Sequence, residues 1–159
     1  MNDADSVYER NAARVYRVCY LKLGRREDAE DAVQNIFVRY LRSNIEFESE
    51  EHEKAYFLRA AHNECVNIKR ALSRIGRIDF EDIPETLVSC SDDTKPVEVA
   101  EILRGLPSKY REVVYMFYYE DMTTAAIAPL LGRNESTVRT QLQKARALMR
   151  KIITEDYHG

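Results

Sequence analysis

The sequence predicts an all-α protein of two small helical domains joined by a flexible acidic linker, the second domain ending in a helix-turn-helix. Apolar residues recur at helical spacing along most of the 159-residue chain, and no stretch alternates as a strand would. Residues 77–95 lack a sustained helical period and are rich in acid. Near the C-terminus, a capped short helix, a glycine and a basic helix follow one another. We therefore assign residues 1–76 to the first domain, 77–95 to the linker and 96–159 to the second domain.

The composition is that of a soluble protein whose charge is unevenly distributed. Apolar residues make up 45% of the chain and charged residues 32%. The formal net charge is −3, but residues 77–101 alone carry −6, which leaves +3 for the rest. Because salt screens surface fields beyond about 10 Å, local patches matter more than the sum. No apolar run is long enough to span a bilayer, and the N-terminus lacks the apolar core of a signal peptide, so we expect a cytoplasmic protein without membrane insertion.

Residue types that often carry catalysis or metal binding are scattered along the chain. The cysteines form no CxxC pair, and no histidine stands at a ligand spacing from them. Cys19 and Cys65 fall on apolar helix faces, where we expect reduced core thiols. The glycines form no phosphate-binding loop, and no nucleophile elbow occurs. We therefore expect no metal, no cofactor and no enzymatic activity.

Apolar stripes predict the first two helices. The first runs from about Asp5 to Leu23 and ends at Gly24. Its expected buried face comprises Tyr8, Ala12, Val15, Cys19 and Leu23. The second runs from about Glu27 to Arg42, and its initial acids suit the positive end of the helix dipole. Its expected buried face comprises Ala29, Ala32, Val33, Ile36, Phe37, Tyr40 and Leu41.

The opposite face of the second helix is acidic and polar. It comprises Glu27, Glu30, Asp31, Gln34 and Asn35. Carboxylates repel phosphate groups, so this face is unsuited to nucleic acid. Two interpretations remain open from the residues alone: a solvated helix face, or a docking surface for a basic protein partner.

A third helix is predicted from about Glu53 to Ser73, after an acidic connector at residues 44–53. Its expected buried stripe comprises Leu58, Ala61, Cys65, Ile68 and Leu72. Another side carries Arg59, Asn63, Asn67, Arg70 and Arg74, with Lys69 adding charge and Tyr56 and Phe57 near the start. Guanidinium and amide groups beside aromatic rings suit a nucleic-acid strand whose bases are unstacked. A plain basic helix is the alternative.

The second domain is expected to begin near Pro96, which suits a first helical position. The apolar face of this helix comprises Val99, Ile102, Leu103 and Leu106. Pro107 then begins a helix whose expected core comprises Tyr110, Val113, Val114, Phe117 and Tyr118. We interpret the aromatic run YMFYY as packing rather than as a platform for bases. Arg111 lies outside that face, where it could reach a phosphate.

The stretch from residue 121 to 153 is typical of a helix-turn-helix. Thr123 suits an N-cap, Gly132 suits the left-handed residue after the first helix, and Glu135 or Ser136 opens the second helix. Its buried stripe comprises Val138, Leu142, Ala145, Met149 and Ile152. The candidate DNA-contacting residues are Ser136, Thr137, Arg139, Thr140, Gln143, Lys144 and Arg146. Pro129 falls inside the first of these two helices, where a proline removes a backbone hydrogen bond. We therefore expect this helix to be short or bent.

Taken together, these blocks resemble a bacterial RNA polymerase sigma factor of the extracytoplasmic-function group. EDAEDAVQNIFVRYLRS resembles the polymerase-binding helix of that group, and EKAYFLRAAHNECVNIKRALSR resembles the helix that melts and reads the minus-ten promoter element. The stretch LPSKYREVVYMFYYEDMTTAAIAPLLGRNESTVRTQLQKARALMRK resembles the reader of the minus-thirty-five element. The similarity covers nearly the whole chain, in the same order.

The resemblance implies partners and residue roles. The polymerase-facing residues would be Asp28, Glu30, Asp31, Gln34 and Asn35, against a coiled coil of the largest subunit. The residues on the non-template strand would be Arg59, Asn63, Asn67 and Arg70, where the group captures a flipped base. The readers of the upstream duplex would be Arg139, Thr140, Gln143 and Lys144. An anti-sigma protein often holds members of this group inactive, and the free chain is expected to be a monomer.

The sequence also departs from the pattern of the group. The group usually has an acid at Ala126, does not favour Pro129 and commonly has an acid at Asn67. Two alternatives therefore accompany the main hypothesis. One is a stand-alone helix-turn-helix regulator that binds duplex DNA as a dimer, and the other is a sigma-like decoy that has lost promoter activity.

Overall fold

The structure of the protein is a computed structural model that describes residues 3–75, 103 and 105–158, with side chains as far as Thr154. The chain divides into two compact units, Met1–Asp82 and Ile83–Gly159. Every secondary-structure element in the described ranges is helical, which confirms the predicted all-α class with two helical domains. Within those ranges no helix combines the length and apolar character needed to cross a bilayer. The predicted linker at 77–95, and most of the helix predicted to begin near Pro96, lie outside the described residues.

The first unit contains helices α1 (Ala4–Leu23), α2 (Arg26–Ser43) and α3 (Glu50–Arg74), which pack pairwise around one core. Gly24 ends α1 with a φ of 71° and donates its N–H to the carbonyl of Tyr20. α3 begins three residues earlier than predicted, at Glu50, because the Ser49 hydroxyl caps it by accepting from the N–H of His52 at 3.1 Å. The connector before α3 is therefore shorter than the sequence suggested.

Two predicted core residues of the first unit are exposed. Tyr8 is 50% exposed, because α1 buries Val7 and Asn11 in place of the predicted Tyr8 and Ala12. The Asn11 side chain is satisfied there, since it donates to the carbonyl of Val7 at 2.8 Å and accepts from Arg14 at 2.7 Å. Leu41 is 61% exposed, because the buried face of α2 is centred on residues such as Ile36 and ends at Tyr40.

A buried carboxylate links α1 to the first turn of α3. Glu53 is 5% exposed, and its two oxygens accept from Arg10 Nε at 2.9 Å and Nη2 at 2.7 Å. These hydrogen bonds from Arg10 lower the pKa of Glu53 below its ordinary value of 4.5. At pH values above 4.5 the pair therefore stabilises the folded state in full. This stabilisation is lost as the pH falls through the lowered pKa of Glu53.

Replacing Glu53 with glutamine should lower the free energy of unfolding of the full chain at pH 7. It should also make that free energy depend less on pH in the acidic range. The amide keeps the shape of the side chain but loses the charge that Arg10 stabilises. Urea denaturation followed by circular dichroism, from pH 7 down to about 3, would measure both effects. Glu46→Gln, at an exposed carboxylate of the connector before α3, is the matched control. Equal pH dependence in wild type and Glu53→Gln would contradict the prediction.

The second unit contains α4 (Ser108–Val114), a π-helical turn at Tyr115–Tyr119, α5 (Thr124–Leu131) and α6 (Glu135–His158). α4 and α5 both pack against α6. The aromatic run was predicted to continue the core, but Tyr118 is 50% exposed. The reason is the wider turn, in which the N–H of Glu120 donates to the carbonyl of Tyr115, five residues back, at 3.2 Å. One extra residue per turn shifts the phase of the residues that follow.

The structure confirms the predicted helix-turn-helix. Thr123 caps α5 by accepting from the N–H of Ala126 at 3.1 Å, and Gly132 follows α5 with a φ of 68°. α5 has eight residues with Pro129 inside, as expected for a helix that lacks the hydrogen bond to the carbonyl of Ala125. The turn then leads into α6, whose Val138, Leu142 and Ala145 are buried as predicted.

Candidate protein-docking and nucleic-acid surfaces

The outer face of α2 carries a continuous exposed stripe, which we name the docking stripe. Its residues recur at alternating spacings of four and three, and all are exposed: Glu27, Asp31, Gln34, Val38 and Leu41. Val38 and Leu41 are 45% and 61% exposed, so acid lies at one end of the stripe and apolar surface at the other. A four-three spacing is the pattern by which one helix packs along another. The stripe therefore suits a helical partner with basic and apolar residues.

The other predicted docking residues flank this stripe. Glu30 is exposed and accepts from Arg26 Nε at 3.1 Å, and Asp28 is half-buried. Asn35 is turned towards α3, where its side-chain amide donates to Glu64 Oε2 at 3.1 Å. Sequence reasoning missed Val38 and assigned Leu41 to the core. The continuing four-three spacing was the signal that could have placed both in the stripe.

One face of α3 carries the predicted strand contacts in a single row, which we name the strand-reading face. Its members are all exposed: Arg59, Asn63, Asn67, Arg70 and Arg74. Lys69 lies off this row and is half-buried. Tyr56 stands at the N-terminal end of the row, half-buried against Phe47 with ring centroids 5.4 Å apart. The face of a fixed aromatic ring can stack a single base, and neighbouring amides and guanidinium groups can hydrogen-bond it.

The exposed side of α6 carries most of the predicted duplex contacts. Ser136, Thr137, Arg139, Thr140, Gln143 and Lys144 are all exposed. Arg139 forms an ion pair with Glu135 at 2.9 Å, one turn earlier in the helix. Because such exposed pairs contribute little, Arg139 can exchange Glu135 for another acceptor at small cost. This helix face can therefore present amide, hydroxyl and cationic groups to a groove of duplex DNA.

A groove of about 290 Å³ lies between the start of α4 and the first turns of α6. It is lined by Lys109, Tyr110, Ser136, Thr137, Thr140, Gln141 and Lys144. Lys109 stands over the Tyr110 ring, 5.2 Å from its centroid, which keeps the ammonium near the groove. Sequence reasoning missed Lys109, and its only signal was a basic residue just before a helix that packs on α6. Two lysines lining one groove suit a phosphate of the DNA backbone.

The expectation that Arg111 lies outside the core is wrong. The residue is 4% exposed, and its Nε donates to the carbonyl of Leu103 at 3.0 Å. Helix periodicity placed Arg111 off the apolar face of α4, but α4 is covered on more than one side within its unit. Its guanidinium is therefore part of the domain interior and does not face a phosphate at the surface.

Arg146 contacts the π-helical turn. Its Nε donates to the hydroxyl of Tyr118 at 2.7 Å, and its guanidinium lies 5.3 Å from the centroid of Phe117. Arg133, in the turn before α6, also connects separate elements, and sequence reasoning did not single it out. Arg133 donates to the buried Glu112 at 2.7 Å and to Gln141 at 3.1 Å. These two arginines fix α6 against the elements that precede it.

Within the described ranges, no group of His, Cys, Asp and Glu side chains could hold a metal ion. Cys19 and Cys65 are buried free thiols, as predicted. Hydrogen bonding to Cys65 and burial together raise the pKa of the Cys19 thiol well above its ordinary value. A thiol held in its neutral form is a poor nucleophile and a poor metal ligand.

Comparison with known proteins gives the same two-part division. Residues 7–75 match the family description of sigma-70 region 2, and residues 97–149 match that of sigma-70 region 4. RNA polymerase sigma factor SigV of Bacillus subtilis is 28% identical over 141 residues, which cover 89% of this chain and 85% of that protein. The extracytoplasmic-function sigma factor SigE of Mycolicibacterium smegmatis is 28% identical over 162 residues, covering 95% of this chain and 62% of that protein.

A solved structure shares the fold. It is the sigma factor RpoE of Bartonella quintana, crystallised in complex with the anti-sigma factor NepR. The TM-score is 0.71, and the match covers 97% of this chain and 98% of that one at 15% sequence identity. At that identity the likeness establishes the fold alone.

Proposed function

Because this chain belongs to the sigma-70 family of RNA polymerase sigma factors, in its extracytoplasmic-function group, we propose that it binds core RNA polymerase and directs it to promoters through two DNA elements. In this proposal the first domain, residues 1–76, docks on polymerase and reads the separated downstream element. The linker is residues 77–95, and the second domain, residues 96–159, binds the upstream element as duplex. The chain acts beside polymerase in the cytoplasm as a non-catalytic subunit.

The observation that carries the proposal is the separation of acid from base between two helices of one compact unit. The docking stripe on α2 is acidic and apolar, whereas the strand-reading face on α3 is basic and rich in amides. An acidic helix face disfavours phosphates and favours a basic protein partner. A simple duplex-binding regulator has no need of such a face. A subunit that joins a polymerase to DNA needs both.

The second unit supplies the remaining part of the proposal. Its helix-turn-helix presents Arg139, Gln143 and Lys144 on an exposed helix face, the arrangement by which such motifs enter a major groove. Lys109 at the neighbouring groove adds a phosphate contact outside α6. We also propose that an inhibitory protein of the anti-sigma class is a partner, as it is for the Bartonella quintana protein.

The decisive experiment is run-off transcription with purified core polymerase, this chain and a library of randomised promoters. We expect transcripts that require the chain, and selected promoters that share two elements at a fixed spacing. The control is core polymerase alone on the same library. Absence of chain-dependent transcripts, despite binding to polymerase, would favour a decoy. A two-fold symmetric footprint by a dimer without polymerase would favour a stand-alone regulator.

A further inference from the structure

A second buried carboxylate of the first unit lies between the docking stripe and the strand-reading face. Glu64, on α3, is 5% exposed, and both of its oxygens are bound by side chains of α2. Oε2 accepts from the amide of Asn35 at 3.1 Å, and Oε1 forms an ion pair with Arg39. A carboxylate removed from water is stable only when such partners are present. The stability of the buried Glu64 carboxylate therefore depends on the position of α2, which carries both of its partners.

The residues around Glu64 belong to both proposed interfaces. Asn35 follows Gln34 of the docking stripe directly, and the side chain of Arg39 is 56% exposed beside that stripe. Glu64 in turn follows Asn63 of the strand-reading face. Any rotation of α3 that moved Asn63 would also displace Glu64 from Arg39 and Asn35. The link thus connects the surface that would meet polymerase with the surface that would meet the separated strand.

We propose that Glu64 is a positioning residue through which polymerase docking improves reading of the separated strand. The inference rests on the proposed function of the two surfaces. In the free chain, water reaches Arg39 and screens its charge. A partner seated on the docking stripe excludes that water, which strengthens the contacts of Glu64 with Arg39 and Asn35. α3 is then held at the rotation that presents Asn63 and Asn67 to the bases.

The test compares strand affinity with and without polymerase. The probe is a fluorescent single-stranded oligonucleotide carrying the downstream element of a promoter selected by run-off transcription. Wild-type chain bound to core polymerase should bind it more tightly than the free chain does. For Glu64→Gln we expect unchanged probe affinity of the free chain, a loss of about fivefold to tenfold in the probe affinity of the polymerase-bound chain, and a smaller loss of polymerase affinity. A purely structural role would weaken the free chain as well.

Variants of Arg39, the exposed partner of Glu64, give a second test, and thermal unfolding of each variant shows whether its fold is intact. Arg39→Lys retains a cation and should retain most of the enhancement, whereas Arg39→Met should lose it. Arg150→Met, at an exposed arginine of α6 that belongs to neither surface of the first unit, is the matched control and should leave the enhancement of strand affinity unchanged.

The outcomes separate this inference from the proposed function. If wild-type chain does not bind core polymerase, both fail. If wild type binds polymerase and gains strand affinity, but Glu64→Gln gains as much, only the role of Glu64 is overturned. That role is equally overturned if Arg39→Lys is as defective as Arg39→Met, or if Glu64→Gln loses polymerase affinity and strand affinity in equal proportion.

Discussion

Reversing the character of the docking stripe in both its acidic half and its apolar half should lower the affinity for core polymerase by at least about a hundredfold. The variant combines Asp31→Lys with Leu41→Asp. Leu41 is an apolar side chain left 61% exposed, and fully burying a leucine side chain is worth about 1.5–3 kcal/mol. Lysine at position 31 replaces an attraction to a basic partner with a repulsion, which adds to the loss. Fluorescence anisotropy of labelled chain titrated with core polymerase measures the change.

The control for this variant makes the same chemical changes elsewhere in the first unit. Glu9→Lys reverses an exposed acid on α1, and Ile75→Asp charges an apolar residue that is 67% exposed after α3. This control should bind polymerase as wild type does. Since all four positions lie at the surface, thermal unfolding should be nearly the same in both variants. Equal polymerase affinity of the stripe variant and the control would show that the docking stripe is not the binding surface.

Local signals in the sequence were sufficient for much of the fold. Thr123 and Gly132 mark the ends of α5 because their effects act on the backbone within a few residues. The apolar stripe of α6 is regular, and its predicted members Val138, Leu142 and Ala145 are buried. The ends of helices and the faces of regular helices are therefore the features that this sequence predicts best.

Two of the errors arise where a polar residue is buried with a partner. Asn11 is fully buried in α1 because its side chain bonds to Val7 and Arg14, and a reading of apolar periodicity passes over it in favour of Tyr8. Arg111 is buried through its bond to Leu103 for the same reason. Such burial depends on the positions of specific partner atoms, which hydrophobic spacing does not encode.

Other features of the site depend on contacts between helices. The π-helical turn changes the phase of the aromatic run, so Tyr118 faces Arg146 on α6 rather than the core. Glu64 finds Asn35 and Arg39 on another helix, 29 and 25 residues away in the chain. Spacing alone predicted the exposed rows of α3 and α6 and the acidic and polar part of the row on α2. It could not reveal how those rows are connected.

Two single substitutions in α6, each removing one positive charge, should separate the reading of bases from the binding of phosphates. Arg139→Ala should lower the affinity of the polymerase-bound chain for its upstream element by roughly tenfold to a hundredfold and relax sequence preference there, because a lost base contact costs about 1–3 kcal/mol. Lys144→Ala should weaken binding to all sequences alike and reduce the slope of log affinity against log salt by about one. Titrations of matched and scrambled duplexes at several salt concentrations measure both quantities.

The structure gives a reason to assign the two roles in this way rather than the reverse. Lys144 lines the groove beside Lys109, where two ammonium groups can share a phosphate, whereas Arg139 lies near the start of α6 next to Ser136. In helix-turn-helix proteins the N-terminal residues of the second helix are the ones that reach base edges. Arg139 must leave Glu135 to do so, and Glu135→Gln should therefore leave matched binding intact or raise it slightly. If Arg139→Ala and Lys144→Ala reduce matched and scrambled binding by the same factor, then neither residue reads sequence, and the assignment of base reading to Arg139 is wrong.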